Sequence, residues 1–259
     1  MQMKIALLLV TGVLHFAVLP AQHRSDFYKD KKIQVLELRN YVIAEGGRDK
    51  FIDSFKVYIE DFQNSKGAYV LGLYKARDAE NNFFWFRGYE NMPARKKSME
   101  EIYSSQYWST VTRITQEFVI NYHNVHLVKP FDINTGDSTS GIDAAWFDNP
   151  KAVAVIDFYT GNGTRGDVIE YVKQTYHNLL ISAGVKEITY WIAEDQPNNY
   201  PQHPVFQDNN SLVSISFFKN ENEFRSVKKK LGDKMNAGMR NNMRKVFTLH
   251  NSIVLYNAN

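Results

Sequence analysis

The chain has 259 residues, 44% of them apolar and 23% charged, proportions that fit a folded globular protein and exclude a disordered one. Its net charge of +3 is too small and too scattered to support nucleic-acid binding, and the basic residues from Lys228 to Lys245 read as a solvated helix face. With no cysteine, disulfides, thiolate chemistry and a lipid anchor on cysteine are all excluded.

Residues 1–4, the apolar run 5–19 and Pro20-Ala21-Gln22 have the layout of a secretory signal, with cleavage predicted after Ala21. The apolar run is shorter than the ~20 residues that span a bilayer, so no stable membrane span is expected after signal cleavage. Export is the expectation, to a bacterial periplasm or the medium. A flexible segment, residues 22–32, follows.

Alternation over residues 33–42 predicts a strand, with Leu36 and Leu38 on one face and Glu37, Arg39 and Tyr41 on the other. Helical spacing takes over from Glu45, where Phe51, Phe55, Tyr58, Ile59 and Phe62 form an apolar stripe and Gly67 is a stop. Strands follow over 69–77 and 82–89, joined by a polar turn as a hairpin. Pro93 opens a helix to about Tyr103, and a second helical segment over 108–122 leads into a strand at 125–129. That order, βαββαβ, is the ferredoxin-like unit, here spanning residues 33–133.

A linker rich in Gly, Ser, Thr and Asp, residues 134–149, precedes a second unit over residues 150–259 with the same layout. The strand ending at Tyr41 is answered by one ending at Tyr159, and an insertion at 196–210 lengthens the second copy. A four-stranded sheet with helices on one side leaves its other face bare, and two such sheets in one chain can cover each other. The predicted fold class is therefore α+β, with tandem ferredoxin-like units closing an α/β barrel within one chain, an internal pseudo-dimer.

The segment Leu36-Glu37-Leu38-Arg39-Asn40-Tyr41, with Gly67, Gly72, Phe86-Arg87-Gly88-Tyr89, Ala94-Arg95 and Tyr107-Trp108, resembles the NIPSNAP family of the dimeric α+β barrel superfamily. The resemblance covers residues 33–110, and the second half matches in layout only. It implies the tandem barrel and little about activity, because that superfamily holds cofactor-free monooxygenases, haem-binding enzymes, lyases and proteins with no established reaction.

Candidate site residues follow from charge and ring chemistry. Trp85, Arg87, Tyr89, Arg95 and Trp108 are expected to converge between sheet and helices, where forked guanidinium donors beside aromatic faces suit a small planar anion. In the alternative reading the tryptophans are core and the arginines pair with Glu100 or Glu101. Arg39 and Asp157, which occupy matching positions in the two units, are expected to form a structural ion pair inside the barrel. His126 and Tyr41 are the candidates for moving a proton. His123, His126 and His203 have no metal-ligand spacing, so no metal is expected; no cofactor is expected either, haem being the alternative.

These features favour an exported protein that binds a small anionic or aromatic molecule. The alternatives are a cofactor-independent monooxygenase or isomerase acting on an aromatic or quinone-like substrate, and a protein-interaction or structural module.

Overall fold

The alternation in the first strand is satisfied by covering both of its faces. Leu36 and Leu38 enter an apolar core shared by both halves of the chain, while Glu37 and Arg39 lie under helices, and all four are buried. The computed structural model describes residues 24–137, 139, 141–147 and 153–258, and the expected signal peptide, residues 1–21, lies outside them.

The first unit contributes β1 (Val35–Ile43), β2 (Tyr69–Ala76), β3 (Asn82–Tyr89) and β4 (Val119–Phe131). The second contributes β5 (Val153–Gly161), β6 (Glu187–Ala193), β7 (Ser211–Phe218) and β8 (Phe247–Asn257). They form one closed barrel in the order β8-β2-β3-β1-β4-β6-β7-β5, every neighbouring pair antiparallel. Within each unit the pairing is ferredoxin-like, and the fourth strand of each unit pairs with the second strand of the other, Val128 opposite Ala193 and Leu255 opposite Ala76. Closure gives every barrel strand a neighbour on both sides, which is how two half-covered sheets become one stable body.

Helix α1 runs Arg48–Phe55, passes through a π turn at Lys56–Glu60 and ends with Asp61–Ser65; α2 is Met92–Tyr103 and α3 is Gln106–Thr115. In the second unit α4 runs Arg165–Tyr171, a π turn at Val172–His177 and Asn178–Ala183, followed by α5 (Glu221–Lys234) and α6 (Ala237–Val246). Gly67 and Gly184 take up φ of 74° and 109° just after α1 and α4, a left-handed stop that a side chain would strain. The π turn recurs at the same place in both units, so it belongs to the duplicated scaffold. No described helix is long and apolar enough to cross a membrane.

The barrel interior is filled from both units by Leu36, Leu38, Phe86, Ile156, Trp191 and Ile215. Phe147 packs on Phe86, Trp191 and Phe217, and Trp146 lies 4.6 Å from Phe217, so Trp146 and Phe147 close one mouth of the barrel.

Two expectations change. Residues 24–32, read as flexible, are tied down: Tyr28 is fully buried, and Lys32–Ile33 pairs with Ile142–Asp143. The helix expected over 108–122 stops at Thr115, because Val119 already pairs with Ile43 across two bulges and draws the following residues into β4.

Candidate functional site

Glu37 is the hub of the first unit. One Oε2 accepts from Arg39 Nη1 at 2.6 Å and from Arg87 Nε at 2.8 Å, while Oε1 accepts from Arg95 Nε at 2.8 Å. β1 supplies Glu37 and Arg39, β3 supplies Arg87 directly opposite Glu37, and α2 supplies Arg95 from above. All four side chains are at most 2% exposed. Burial pushes the Glu37 carboxyl up, but the fields of Arg87, Arg95 and Arg39 outweigh it and hold the group well below the usual carboxylate range.

Three guanidiniums share this one carboxylate, and several of their remaining donors are met by neutral acceptors. Arg87 Nη1 donates to Gln63 Oε1 at 3.2 Å, and Arg39 donates to the Tyr41 hydroxyl from Nε at 3.3 Å and Nη2 at 3.1 Å. Arg95 Nη1 donates to Asn198 Oδ1 at 3.0 Å and Asn199 Oδ1 at 2.7 Å. Arg95 Nη2 and Trp85 Nε1 are buried with no hydrogen-bond partner among the described residues. Arg39 and Arg87 both lie over the Trp85 ring, 5.1 and 5.3 Å from its centroid.

Beside this cluster is a cavity of about 340 Å³, within the ~300–1,000 Å³ typical of ligand sites. Arg39, Tyr41, Tyr103, Trp108, His203 and Gln116 are among its polar lining and Phe51, Phe55 and Ile59 among its apolar lining; no carboxylate lines it. The Ser105 hydroxyl caps α3 by accepting from the Trp108 amide at 3.1 Å, and this break between α2 and α3 sets Trp108 edge-on to Tyr103.

His203 comes from the long loop after β6. Because β6 pairs with β4, that loop emerges over the first unit's helices: His203 stacks on Tyr103 at 4.0 Å, Tyr200 stacks on it at 5.6 Å, and Asn198 and Asn199 reach Arg95. The second unit thus roofs the first unit's cavity. Burial, reinforced by Arg87 and Arg39, lowers His203 to about 4, so the imidazole is neutral at physiological pH.

Of the residues expected at the site, Trp85, Arg87, Tyr89, Arg95 and Trp108 do gather between sheet and helices, but only Trp108 borders the cavity. The two arginines meet Glu37 rather than Glu100 or Glu101, whose carboxylates face Lys96, Lys97 and Lys66 on the surface. The expected Arg39–Asp157 pair does not form. Both residues lie on the helix side of their own units, so the barrel wall separates them, and Asp157 Oδ1 instead faces His250 Nε2 at 3.2 Å. Tyr41 borders the cavity, whereas His126 sits at a barrel mouth with Phe158 and Phe206. Sequence reasoning missed Glu37 as the common acceptor and Arg39 as the cavity's cation. The signal available was that two arginines and one acid alternate with leucine and phenylalanine on neighbouring strands, with a third arginine on the helix that follows.

The second unit does not repeat the cluster. The register puts Val155 and Ser216 where the first unit has Glu37 and Arg87, and Asp157 and Ser214 where it has Arg39 and Trp85. Among the described residues, no group of three or more His, Asp or Glu could hold a metal ion.

Glu37, Arg39, Arg87, Arg95 and Trp108 all fall within one matched segment. Residues 36–133 match the NIPSNAP family. The match covers the first ferredoxin-like unit, so the charged cluster lies within the matched segment and is roofed by a second unit outside the match. No curated protein matches the chain. Among solved structures, a candidate monooxygenase from Fusobacterium nucleatum aligns with a TM-score of 0.56 at 9% identity, covering 88% of this chain and 94% of that one. A candidate monooxygenase from Lactobacillus acidophilus gives 0.52 at 10% identity, covering 88% and 95%. The candidate chlorite dismutase TA0507 gives 0.51 at 10%, also covering 88% and 95%. At such identity the likeness establishes the shared dimeric α+β barrel fold, with both units included.

Proposed function

We propose that the cavity of the NIPSNAP unit binds a small aromatic anion, and that this binding is the function of the exported protein. One observation carries the reading: three buried guanidiniums answer to one carboxylate, and one of them, Arg39, borders a cavity walled by aromatic rings. Burying a charge without a partner costs several kcal/mol, so an anion entering beside Arg39 offsets an electrostatic deficit already built into the fold. Arg39 offers forked donors to a carboxylate or phenolate, while Phe51, Phe55 and Ile59 accept the ring. The reading calls for no cofactor.

The test is a calorimetric titration with benzoate and with its neutral isostere benzamide. Benzoate is expected to bind at least about tenfold more tightly, a difference of ~1.4 kcal/mol. Equal affinity for the two would sink the reading.

A second reading, cofactor-independent oxygenation, is favoured by His203, Tyr41 and Tyr103 lining the same cavity, and the fold is shared with candidate monooxygenases. In it His203 takes a phenolic proton from the substrate before oxygen reacts. It ranks second because a general base works best when its pKa is near the working pH, and His203 lies at about 4. Oxygen uptake with hydroquinones, above the rate without protein, would promote it.

A further inference from the structure

The barrel has a second, independent cavity at the mouth opposite the Trp146 and Phe147 plug. Along the strands the inward-facing positions run apolar and then turn polar at this end: Leu36, Leu38, Asn40 on β1; Ile156, Phe158, Thr160 on β5; Ile253 then Asn251 on β8. On β4 the same register brings His126 and Asn124 inward, and on β7 it brings Ser211 beside Thr160. The cavity they line is about 320 Å³.

Its chemistry differs from that of the site beside Arg39. No cation lines it, and its one charged group, Asp208, has a carboxylate that accepts from the Ser211 hydroxyl at 2.5 Å. The walls are ring faces: His126 lies 4.8 Å from Phe158 and 5.3 Å from Phe206, and Phe206 is 53% exposed at the rim. The ring nitrogens of His126 and the side-chain amides of Asn124 and Asn251 make no hydrogen bond to any described residue.

These features select a ligand class. An anion would meet Asp208 and no compensating charge, and a hydrocarbon would strip water from amides without replacing their hydrogen bonds. A ring with one apolar C–H face and several hydroxyls meets both needs, with the face on aromatic rings and the hydroxyls on amides, imidazole and carboxylate. We propose that this mouth of the barrel is a binding site for a neutral pyranose-sized polyol.

The site does not depend on the anion cavity. Burial lowers His126 to about 4 against the opposing field of Asp208, so the ring presents one donor and one acceptor to hydroxyls at neutral pH.

The experiment is saturation-transfer NMR and calorimetry on the full chain with methyl hexopyranosides of glucose, galactose and mannose configuration and with myo-inositol as probes. At least one is expected to bind saturably, with Phe206→Ala and Asn251→Leu each weakening it about tenfold or more while the circular dichroism spectrum is kept. Benzoate affinity is expected to be unchanged in both variants. Should either variant fail to fold, Asn124→Leu on the facing strand replaces it. The proposal is overturned if none of the probes binds at millimolar concentration, or if binding survives the substitutions undiminished.

Discussion

Tyr41 lies two residues beyond Arg39 on the same strand, and its hydroxyl accepts from both Nε and Nη2 of that guanidinium, at 3.3 and 3.1 Å. With Nη1 held by Glu37 at 2.6 Å, the plane of Arg39 is fixed from both sides, and its remaining N–H groups are left for the cavity. Burial and the repulsion of Arg87 lower the Arg39 pKa, but Tyr41 and Glu37 more than offset them, so the group stays charged.

Arg39→Met is therefore expected to separate binding from stability. It removes one surplus charge and relieves repulsion from Arg87, against the loss of bonds to Glu37 and Tyr41, so unfolding free energy should change by no more than about 1 kcal/mol. Benzoate affinity should fall at least about tenfold. Urea unfolding and calorimetry on the same preparation check both halves, and a variant that still binds benzoate normally would show that Arg39 is not the anion's partner.

Glu37→Gln should act in the opposite way. It leaves three guanidiniums buried without their carboxylate and is expected to destabilise the protein by ~3–5 kcal/mol. Added benzoate should recover part of that loss, raising the melting temperature of the variant more than that of the wild type. Equal shifts in the two would mean that the anion does not meet the arginine cluster.

The roof contributed by the second unit gives a third expectation. His203→Ala removes the ring stacked at 4.0 Å on Tyr103 and opens the cavity without touching Glu37, so benzoate dissociation should quicken while melting temperature stays nearly constant. Stopped-flow release measures this directly. A large drop in stability with unchanged release would make the loop a structural brace.

Acid should destabilise the fold over a defined window. His126 and His203 titrate near 6.5 when unfolded and are lowered to about 4 by burial in the folded protein, so between those values the unfolded chain binds more protons. Stability is thus highest above about pH 6.5 and falls as pH drops towards about 4. Glu37 adds to the loss lower down: its carboxyl is depressed, and its contribution fades as pH falls below its ordinary value of 4.5. Urea midpoints between about pH 7.5 and about pH 4 should decline, and His126→Phe should flatten the upper part of the decline.

The repeat and the βαββαβ order were legible because period-2 and period-3.6 patterns, the hairpin turn and Gly67 are local signals, each set by its own few residues. Which side of the sheet carried the charges was not legible. A strand buried on both faces offers Leu36 and Leu38 to one side and Glu37, Arg39 and Tyr41 to the other with no local cue to which is the barrel. The outcome depends on non-local partners: eight strands bring apolar residues to fill the interior, while the guanidiniums need Gln63, Asn198 and Asn199, which only helices and the long loop can supply. The convergence of Trp85, Arg87, Tyr89, Arg95 and Trp108 could be read because all lie on the helix-facing side of one unit. His203 could not be placed, since its position depends on β6 pairing across units with β4.

The most direct measurement is a crystal structure of the protein soaked with 4-bromobenzoate, with data collected at the bromine absorption edge. A single strong anomalous peak among Phe51, Phe55 and Ile59, with the carboxylate on Arg39, is the expected result. Bromine bound only elsewhere, with the cavity beside Arg39 holding water, would contradict the assignment of that cavity as the anion site.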